Sequence, residues 1–171
     1  MFLRELFGED INEEHIELIN KFQCDDEDTV KEFLVNEALE LHKLNLAVTK
    51  LFFNDKDKKN LIGYFTLHND MMQIGKAKRK KHGYQLPSYK YYPSIKLHYL
   101  GVDSRFREQR YGETLLFTVL DTAINISKTT GCLFLTIESL PKAVSFYEKY
   151  EFKRLNINRP FVNMFFKLDE L

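Results

Sequence analysis

The sequence predicts an α/β fold of the mixed α+β kind, a mixed sheet flanked by helices, and three observations carry that prediction. Two apolar runs around a polar turn, residues 46–53 and L-I-G-Y-F-T-L-H (61–68), read as a β-hairpin. A strand-like run at 95–102 leads towards a broad helical stripe of Leu115, Leu116, Val119, Leu120, Ala123 and Ile124. A short apolar run, C-L-F-L-T-I (132–137), follows that helix, as a buried strand would.

Each element has its own reason. Asp28-Thr29 gives an acidic start to V-K-E-F-L-V-N-E-A-L-E-L, in which Val30, Phe33, Leu34, Ala38 and Leu41 recur at helical spacing, so one amphipathic helix is expected there. The 46–53 run alternates poorly but is rich in strand formers, and N-D-K-D-K-K-N (54–60) supplies the hairpin turn. Residues 69–93 mix a basic cluster with prolines and tyrosines, which suits a long excursion with a helical turn near its start. From Gly112 or Glu113 a helix is expected to about Ser127, with Gly131 closing the connection. Pro141 stands in the favoured early position of the helix K-A-V-S-F-Y-E-K-Y, and two strand candidates follow near 152–156 and 162–168. No internal repeat or linker interrupts this order, so one domain over 1–171 is expected.

The bulk numbers exclude several classes. With 25 Lys and Arg against 25 Asp and Glu there is no global field for nucleic acid or a membrane surface, and basic recognition must be local. Cys24 and Cys132 stand far apart with no Cys/His cluster, which predicts reduced thiols and no metal site. The start M-F-L-R-E-L-F-G-E-D lacks a signal-peptide core and no run has the length of a membrane span, so a cytoplasmic protein without membrane attachment is expected.

Between the 95–102 run and the helix lies S-R-F-R-E-Q-R-Y-G-E-T-L-L (104–116). A strand–turn–helix junction points backbone N–H groups and the positive end of a helix dipole at one spot, which suits phosphate. Gly112 lets a ligand approach the backbone, and Arg105, Arg107 and Arg110 add positive charge around the same turn. The junction reads as an anion site suited to a pyrophosphate. It is neither a Walker loop, lacking G-K-S/T, nor a dinucleotide fingerprint, having one glycine. A solvated arginine rim is the other reading of the same residues.

The stretch V-D-S-R-F-R-E-Q-R-Y-G-E-T-L-L (102–116) resembles the acetyl-CoA-binding motif of the GNAT N-acetyltransferase family, Gln/Arg-x-x-Gly-x-Gly/Ala. Arg107 and Gly112 match it, and Arg110 replaces the central glycine. A-V-S-F-Y-E-K-Y-E-F (143–152) resembles the family's A-x-x-F-Y-x-x-x-G-F, with Glu151 in place of the glycine. The segments 22–38, I-G-Y-F-T-L (62–67) and L-H-Y-L-G-V-D (97–103) are similar to one branch, the toxins that acetylate the amino acid on charged tRNA. That branch's usual L-x-R-L-A-V-D strand differs here at two places.

The resemblance implies a GNAT fold, a mostly antiparallel sheet splayed at the cofactor strand, and acetyl-CoA as cosubstrate. It implies cofactor contacts from Leu100, Gly101, Val102, Arg107, Glu108, Gln109, Arg110, Tyr111, Gly112, Glu113 and Thr114. The Val102 N–H would polarise the thioester carbonyl, and Tyr147 would face the departing sulfur. A phenol near pKa ~10 beside a thiol near ~8.5 makes full proton donation uphill by about 2 kcal/mol, so Tyr147 is expected to act mainly as a hydrogen-bond donor. Tyr147 as a plain core aromatic is the competing reading. Glu138 is a candidate general base, although an aminoacyl amine needs none, and His98 is expected to be structural. If position 110 needs positive φ, arginine there would strain the backbone.

Lys76, Lys78, Arg79, Lys80 and Lys81 precede Tyr84, Tyr89, Tyr91 and Tyr92, and cations interleaved with aromatics suit a nucleic-acid surface. A solvated loop with tyrosines packed on the sheet is the alternative. The expected function is acetyl transfer to an amine, on an aminoacyl-tRNA or on a small molecule or protein. A homodimer is compatible with it. The rivals are a CoA-binding module without catalysis, favoured by the two missing glycines, and a non-enzymatic RNA-binding protein.

Overall fold

The computed structural model describes residues 5–169, so the two ends of the expected 1–171 domain lie outside the described residues. The chain divides into two compact units. One holds the described residues up to His68 together with Leu97–Val119, and the other holds Asn69–Lys96 together with the described residues from Leu120 onward.

In the first unit the strands are β1 (Phe7–Asp10), β2 (Val48–Phe53), β3 (Leu61–Met72, as far as His68) and β4 (Tyr92–Val102, from Leu97), in the order β1-β2-β3-β4. β1 runs antiparallel to β2, Phe7 opposite Phe53, and β2 antiparallel to β3, Val48 opposite Leu67, so the expected hairpin forms around residues 54–60. Every β3 residue from Leu61 to Leu67 is buried, on both faces of the sheet. That is why the sequence there shows no clean alternation.

The single helix expected over 28–41 is two, α2 (Asp28–Asn36) and α3 (Ala38–Lys43), preceded by α1 (Ile16–Asn20). Glu37 leaves helical geometry at φ −127° and ψ −37°. The break lets α2 bury Phe33 and Leu34 while α3 turns a fully buried Ala38 inward and packs on β2. A 3-10 turn at Glu13–His15 and strand β1 were not legible in the sequence, being short and half-exposed. The core of this unit gathers Phe22, Phe33, Leu34, Leu51, Phe53, Leu61 and Tyr64. Tyr64 resolves its buried hydroxyl by donating to the Val30 carbonyl at 2.6 Å.

In the second unit the remainders of β3 and β4 are followed by β5 (Phe134–Ser139), β7 (Phe161–Lys167) and β6 (Lys153–Asn158). β7 runs antiparallel to both neighbours, with Glu138 opposite Asn163 on one side and Asn156 opposite Asn163 on the other. The excursion is shorter than expected, because β3 continues to Met72 and β4 already starts at Tyr92. Its helical turn is α4 (Lys76–Lys81), which ends where Gly83 takes φ +72°. Met72, Ile74, Tyr92, Phe134 and Phe165 form the core here, with Tyr84 and Leu86 packed against it.

Helix α5 (Tyr111–Thr129) begins in the first unit and ends in the second. A 3-10 turn at Pro141–Ala143 starts α6 (Val144–Lys149), as the position of Pro141 predicted.

Two glycines let strands approach closely inside the first unit. A Cβ on Gly63 would lie 2.4 Å from the Gly101 carbonyl oxygen, whereas a Cβ on Gly101 would meet only side chains, Val30 at 2.5 Å and Tyr64 at 2.9 Å. Backbone cannot step aside and side chains can. Equilibrium urea unfolding is therefore expected to show Gly63→Ala losing more than about 3 kcal/mol and Gly101→Ala about 1–3 kcal/mol. Equal losses would disprove the distinction.

Candidate functional site

The junction after β4 is built on Asp103, which is fully buried. Its carboxylate accepts from the Gln23 and Arg105 backbone N–H groups at 3.0 Å and from the Arg105 guanidinium at 2.8 and 2.7 Å. Burial alone would raise this carboxyl, but the Arg105 and Gln23 hydrogen bonds outweigh it and hold it below its ordinary value. Asp103 also closes the sheet side, donating its N–H to the Ile62 carbonyl at 2.8 Å. Residues 23–25 brace the same corner: Ser104 donates its N–H to the Gln23 carbonyl and accepts from the Asp25 N–H, both at 2.9 Å.

Each arginine of the turn is held by a carboxylate. Arg105 pairs with Asp103, Arg107 with Asp26 while also reaching the Cys24 sulfur at 3.4 Å, and Arg110 with Glu113 at 2.5 Å. This corrects the sequence reading, which counted all three as positive charge around the turn. What the junction offers an anion is mainly backbone. Glu108 and Arg110 both take the left-handed conformation, φ +63° and +64°, and such turns gather successive N–H groups into a concave nest. Tyr111, Gly112 and Glu113 open the 19-residue α5, where the dipole is positive, and the Thr114 N–H already donates to the Arg110 carbonyl at 3.2 Å, closing the first helical bond.

This donor set fits a diphosphate, with one opposing feature. Glu113 puts a buried carboxylate into that first turn. Arg110 lies against it, so the residue that replaces the motif glycine also neutralises the local negative charge. Leu100, Gly101 and Val102, the end of β4, lead directly into Asp103 and belong to the same unit.

Tyr147 lies in the second unit, in a different arrangement. Helix α6 ends as a Schellman motif: Glu151 at φ +65° donates its N–H to the Glu148 carbonyl, and Phe152 donates to the Tyr147 carbonyl at 3.2 Å. The Tyr147 ring packs on Phe152 with centroids 5.6 Å apart, the apolar contact that accompanies this motif. Burial pushes the Tyr147 phenol up to about 12.

Of the other candidates, Glu138 on β5 pairs with Lys96 at 3.0 Å. His98 packs among aromatic rings, Phe33 at 5.1 Å and His68 at 5.3 Å. The basic cluster divides. Arg79 is buried, with its guanidinium on the Tyr92 hydroxyl and the Pro87 carbonyl, so it is not available as a surface contact. Lys78 donates to the Arg154 carbonyl at 2.9 Å and to the Leu155 carbonyl. Lys76, Lys80 and Lys81 are exposed, as are Tyr89 and Tyr91, whereas Tyr92 is buried and Tyr84 packs on the core.

Sequence reasoning missed Asp26, the brace at 23–25 and the role of Glu113. The one local signal was an acid directly after an apolar strand, at Asp103. Among the described residues no group of three His, Cys, Asp or Glu could hold a metal ion, and no helix is long and apolar enough to cross a membrane.

The model of the acetyltransferase (GNAT) domain family matches residues 9–166. Curated protein sequences contain no match. Among solved structures, a Tyr-to-Phe variant of KacT is 24% identical, with TM-score 0.81 over 96% of this chain and 95% of that one. AtaT complexed with acetyl-methionyl-tRNAfMet is 24% identical, TM-score 0.80, with 96% of each chain covered. AtaTR bound with acetyl-CoA is 23% identical, TM-score 0.79, over 98% and 96%. At these identities the likeness is one of fold.

Left-handed residues other than glycine carry a local cost of about 1–2 kcal/mol, partly offset because glycine loosens the unfolded chain. Glu151→Gly is thus expected to stabilise the protein by about 1 kcal/mol. Arg110→Gly is expected to gain nothing, because it removes the guanidinium beside buried Glu113. Thermal or urea unfolding of the two variants checks this; equal stabilisation would show that the Arg110–Glu113 pair is energetically idle.

Proposed function

This chain belongs to the GNAT acetyltransferase family, and on that footing we propose that it is one acetyltransferase domain that moves the acetyl group of acetyl-CoA onto the amine of an aminoacyl-tRNA in the cytoplasm. The observation that carries the reading is the pair of left-handed residues 108 and 110 at the start of α5, an N–H nest of the kind a diphosphate needs. The choice of acceptor is supported by the fold likeness to AtaT, whose complex contains acetyl-methionyl-tRNAfMet.

In this reading the backbone N–H groups of Arg107, Glu108, Gln109, Arg110, Tyr111, Gly112 and Glu113 hold the diphosphate, whereas the expected Thr114 contact is not made through its N–H, which donates to the Arg110 carbonyl. Leu100, Gly101 and Val102 lie along the pantetheine arm, and the Val102 N–H donates to the thioester carbonyl oxygen as charge develops there. Acetyl-CoA supplies the activated acyl group. Tyr147 donates a hydrogen bond to the departing sulfur. With its phenol at about 12 and a free thiol near ~8.5, complete proton transfer is uphill by about 5 kcal/mol, so the phenol keeps its proton. The neutral form of the α-amine attacks the thioester carbon, the C–S bond breaks to release the coenzyme A thiolate, and the proton that the nitrogen sheds passes to that thiolate or to solvent, so the step balances without a protein base.

Both rivals lose support. The catalytically silent module rested on two missing glycines, yet Arg110 and Glu151 hold the left-handed geometry those glycines would provide. A purely RNA-binding protein rested on five basic side chains, of which Arg79 is buried and Lys78 is tied to backbone carbonyls. The tRNA contacts we propose are Lys76, Lys80 and Lys81.

The direct test is mass spectrometry of total tRNA and of an amine panel after incubation with labelled acetyl-CoA; label on neither, with acetyl-CoA bound, would leave the silent module. Tyr147→Phe is expected to keep acetyl-CoA affinity within a few-fold and to slow turnover about tenfold or more. Unchanged turnover would remove Tyr147 from the mechanism. Changing Lys76, Lys80 and Lys81 together to Gln is expected to weaken a tRNA acceptor about tenfold or more at physiological salt and to spare a small amine. Equal effects on both acceptors would count against the RNA contact.

A further inference from the structure

Residues 71–96 of the second unit contain seven Lys and Arg and no Asp or Glu, in a chain that holds 25 of each sign. Lys76, Lys80, Lys81 and Lys90 are exposed and form no ion pair among the described residues. Three acids of the unit are already engaged elsewhere, Glu138 by Lys96, Glu148 by Arg154 and Asp169 by Lys167. A surface of one sign left open in this way is complementary to a polyanion.

Charge alone does not choose the polyanion, but the turn beside it does. Tyr89 and Tyr91 are 64% and 44% exposed, and the turn that carries them is pinned. Arg79, buried in α4, donates to the Pro87 carbonyl at 3.3 Å and to the Tyr92 hydroxyl. That hydroxyl donates to the Pro87 carbonyl and accepts from the Tyr89 N–H at 3.3 Å, while the Tyr92 ring is buried edge-on against Phe134. Arg79 meets no carboxylate among the described residues, so its guanidinium serves this turn and not an ion pair. The Tyr89 ring leans on Tyr92 with centroids 6.1 Å apart, and the Lys90 ammonium lies 5.1 Å from the Tyr91 ring. Aromatic faces held outward among open cations are what unstacked bases require, rings for the bases and ammonium groups for the phosphates. A duplex hides its base faces and uses only the cations.

We propose that residues 76–91 form a cradle for unpaired RNA. Tyr89 and Tyr91 each stack on a base, and Lys76, Lys80, Lys81 and Lys90 take the flanking phosphates. Arg79 is the positioning residue that holds the turn presenting the two rings. The proposal rests on the aminoacyl-tRNA reading for its purpose and deepens it: the feature recognised here is a single-stranded stretch of the acceptor, not a helical stem.

The probe is a fluorescently labelled RNA of about 12 nucleotides, built only from adenine and cytosine so that it cannot pair with itself. The control is the same strand annealed to its complement. Anisotropy titrations with the full chain, without acetyl-CoA, are expected to show the single strand binding at least about fivefold tighter. Phosphate attraction alone predicts the reverse, because the duplex carries the denser charge. Tyr89→Leu and Tyr91→Leu are each expected to weaken the single strand about fivefold or more, the worth of one base stack, and to leave the slope of log Kd against log salt unchanged. Lys80→Gln and Lys81→Gln are each expected to lower that slope by about 0.7. Arg79→Gln is expected to weaken the single strand about as much as a tyrosine variant, with the slope and the duplex affinity kept. A lower slope, or equal loss for both RNAs, would refute its positioning role; should this variant not fold, the two exposed tyrosines decide the question. Equal or tighter binding of the duplex, tyrosine variants matching the parent, or no RNA binding at all, which would leave the surface to a protein partner, would overturn the cradle. Acetyl-CoA titrated into the parent chain separates the two claims: no acetyl-CoA binding with the RNA pattern intact sinks the transferase reading alone.

Discussion

At the end of β4 a carboxylate without exposed surface collects four N–H donors, two of them from one guanidinium. A buried charge is costly unless its hydrogen-bonding capacity is filled, so Asp103 dictates where Arg105 and Gln23 stand. With Asp103 also bonded to the Ile62 carbonyl, the chain leaves the sheet in one direction. The turn at 107–110 and the start of α5 inherit that direction. An amide nest functions only if its N–H groups converge without reorganising, and this corner supplies the rigidity.

The same economy governs the charges around it. Three arginines at a helix start look like an electrostatic attractor, yet each lies against a carboxylate, Asp103, Asp26 or Glu113. Most of these side chains are partly exposed, where isolated pairs contribute little to stability. Their effect is geometric: they orient the loop and lower the net field, so that discrimination falls to backbone direction. Arg110 and Glu113 form a coupled unit in which one residue departs from the family pattern and the other carries the charge that departure offsets.

Glycine in a family motif stands for a backbone conformation. Arg110 and Glu151 both take φ near +65° although neither is glycine. Around Glu151 that conformation completes the Schellman closure of α6, whose carbonyl acceptor and ring contact both belong to Tyr147. Two helices end in the same way with residues better suited to it, α3 at Asn45 and α4 at Gly83, where Asn45 donates to His42 and Gly83 to Lys80. At Glu151 hydrogen bonds and packing hold a strained residue in place, and the tyrosine is fixed with it.

By itself the sequence determined the hairpin over β2 and β3, the strand–helix–strand passage from β4 to β5, the proline-started α6 and the two motifs of the family. Those features rest on local periodicity, turn chemistry and capping, which neighbouring residues dictate. It did not determine the break at Glu37, the interior position of Arg79, the carboxylate partner of each arginine, or the alignment of Asn163 with Glu138 and Asn156. Each of these depends on residues distant in the chain: Asp26 reaches Arg107, and register alone places Asn163. Tertiary packing decided which lysines face water and which bond carbonyls, because desolvation of a charge is set by what surrounds it in space and leaves no periodic trace along the chain.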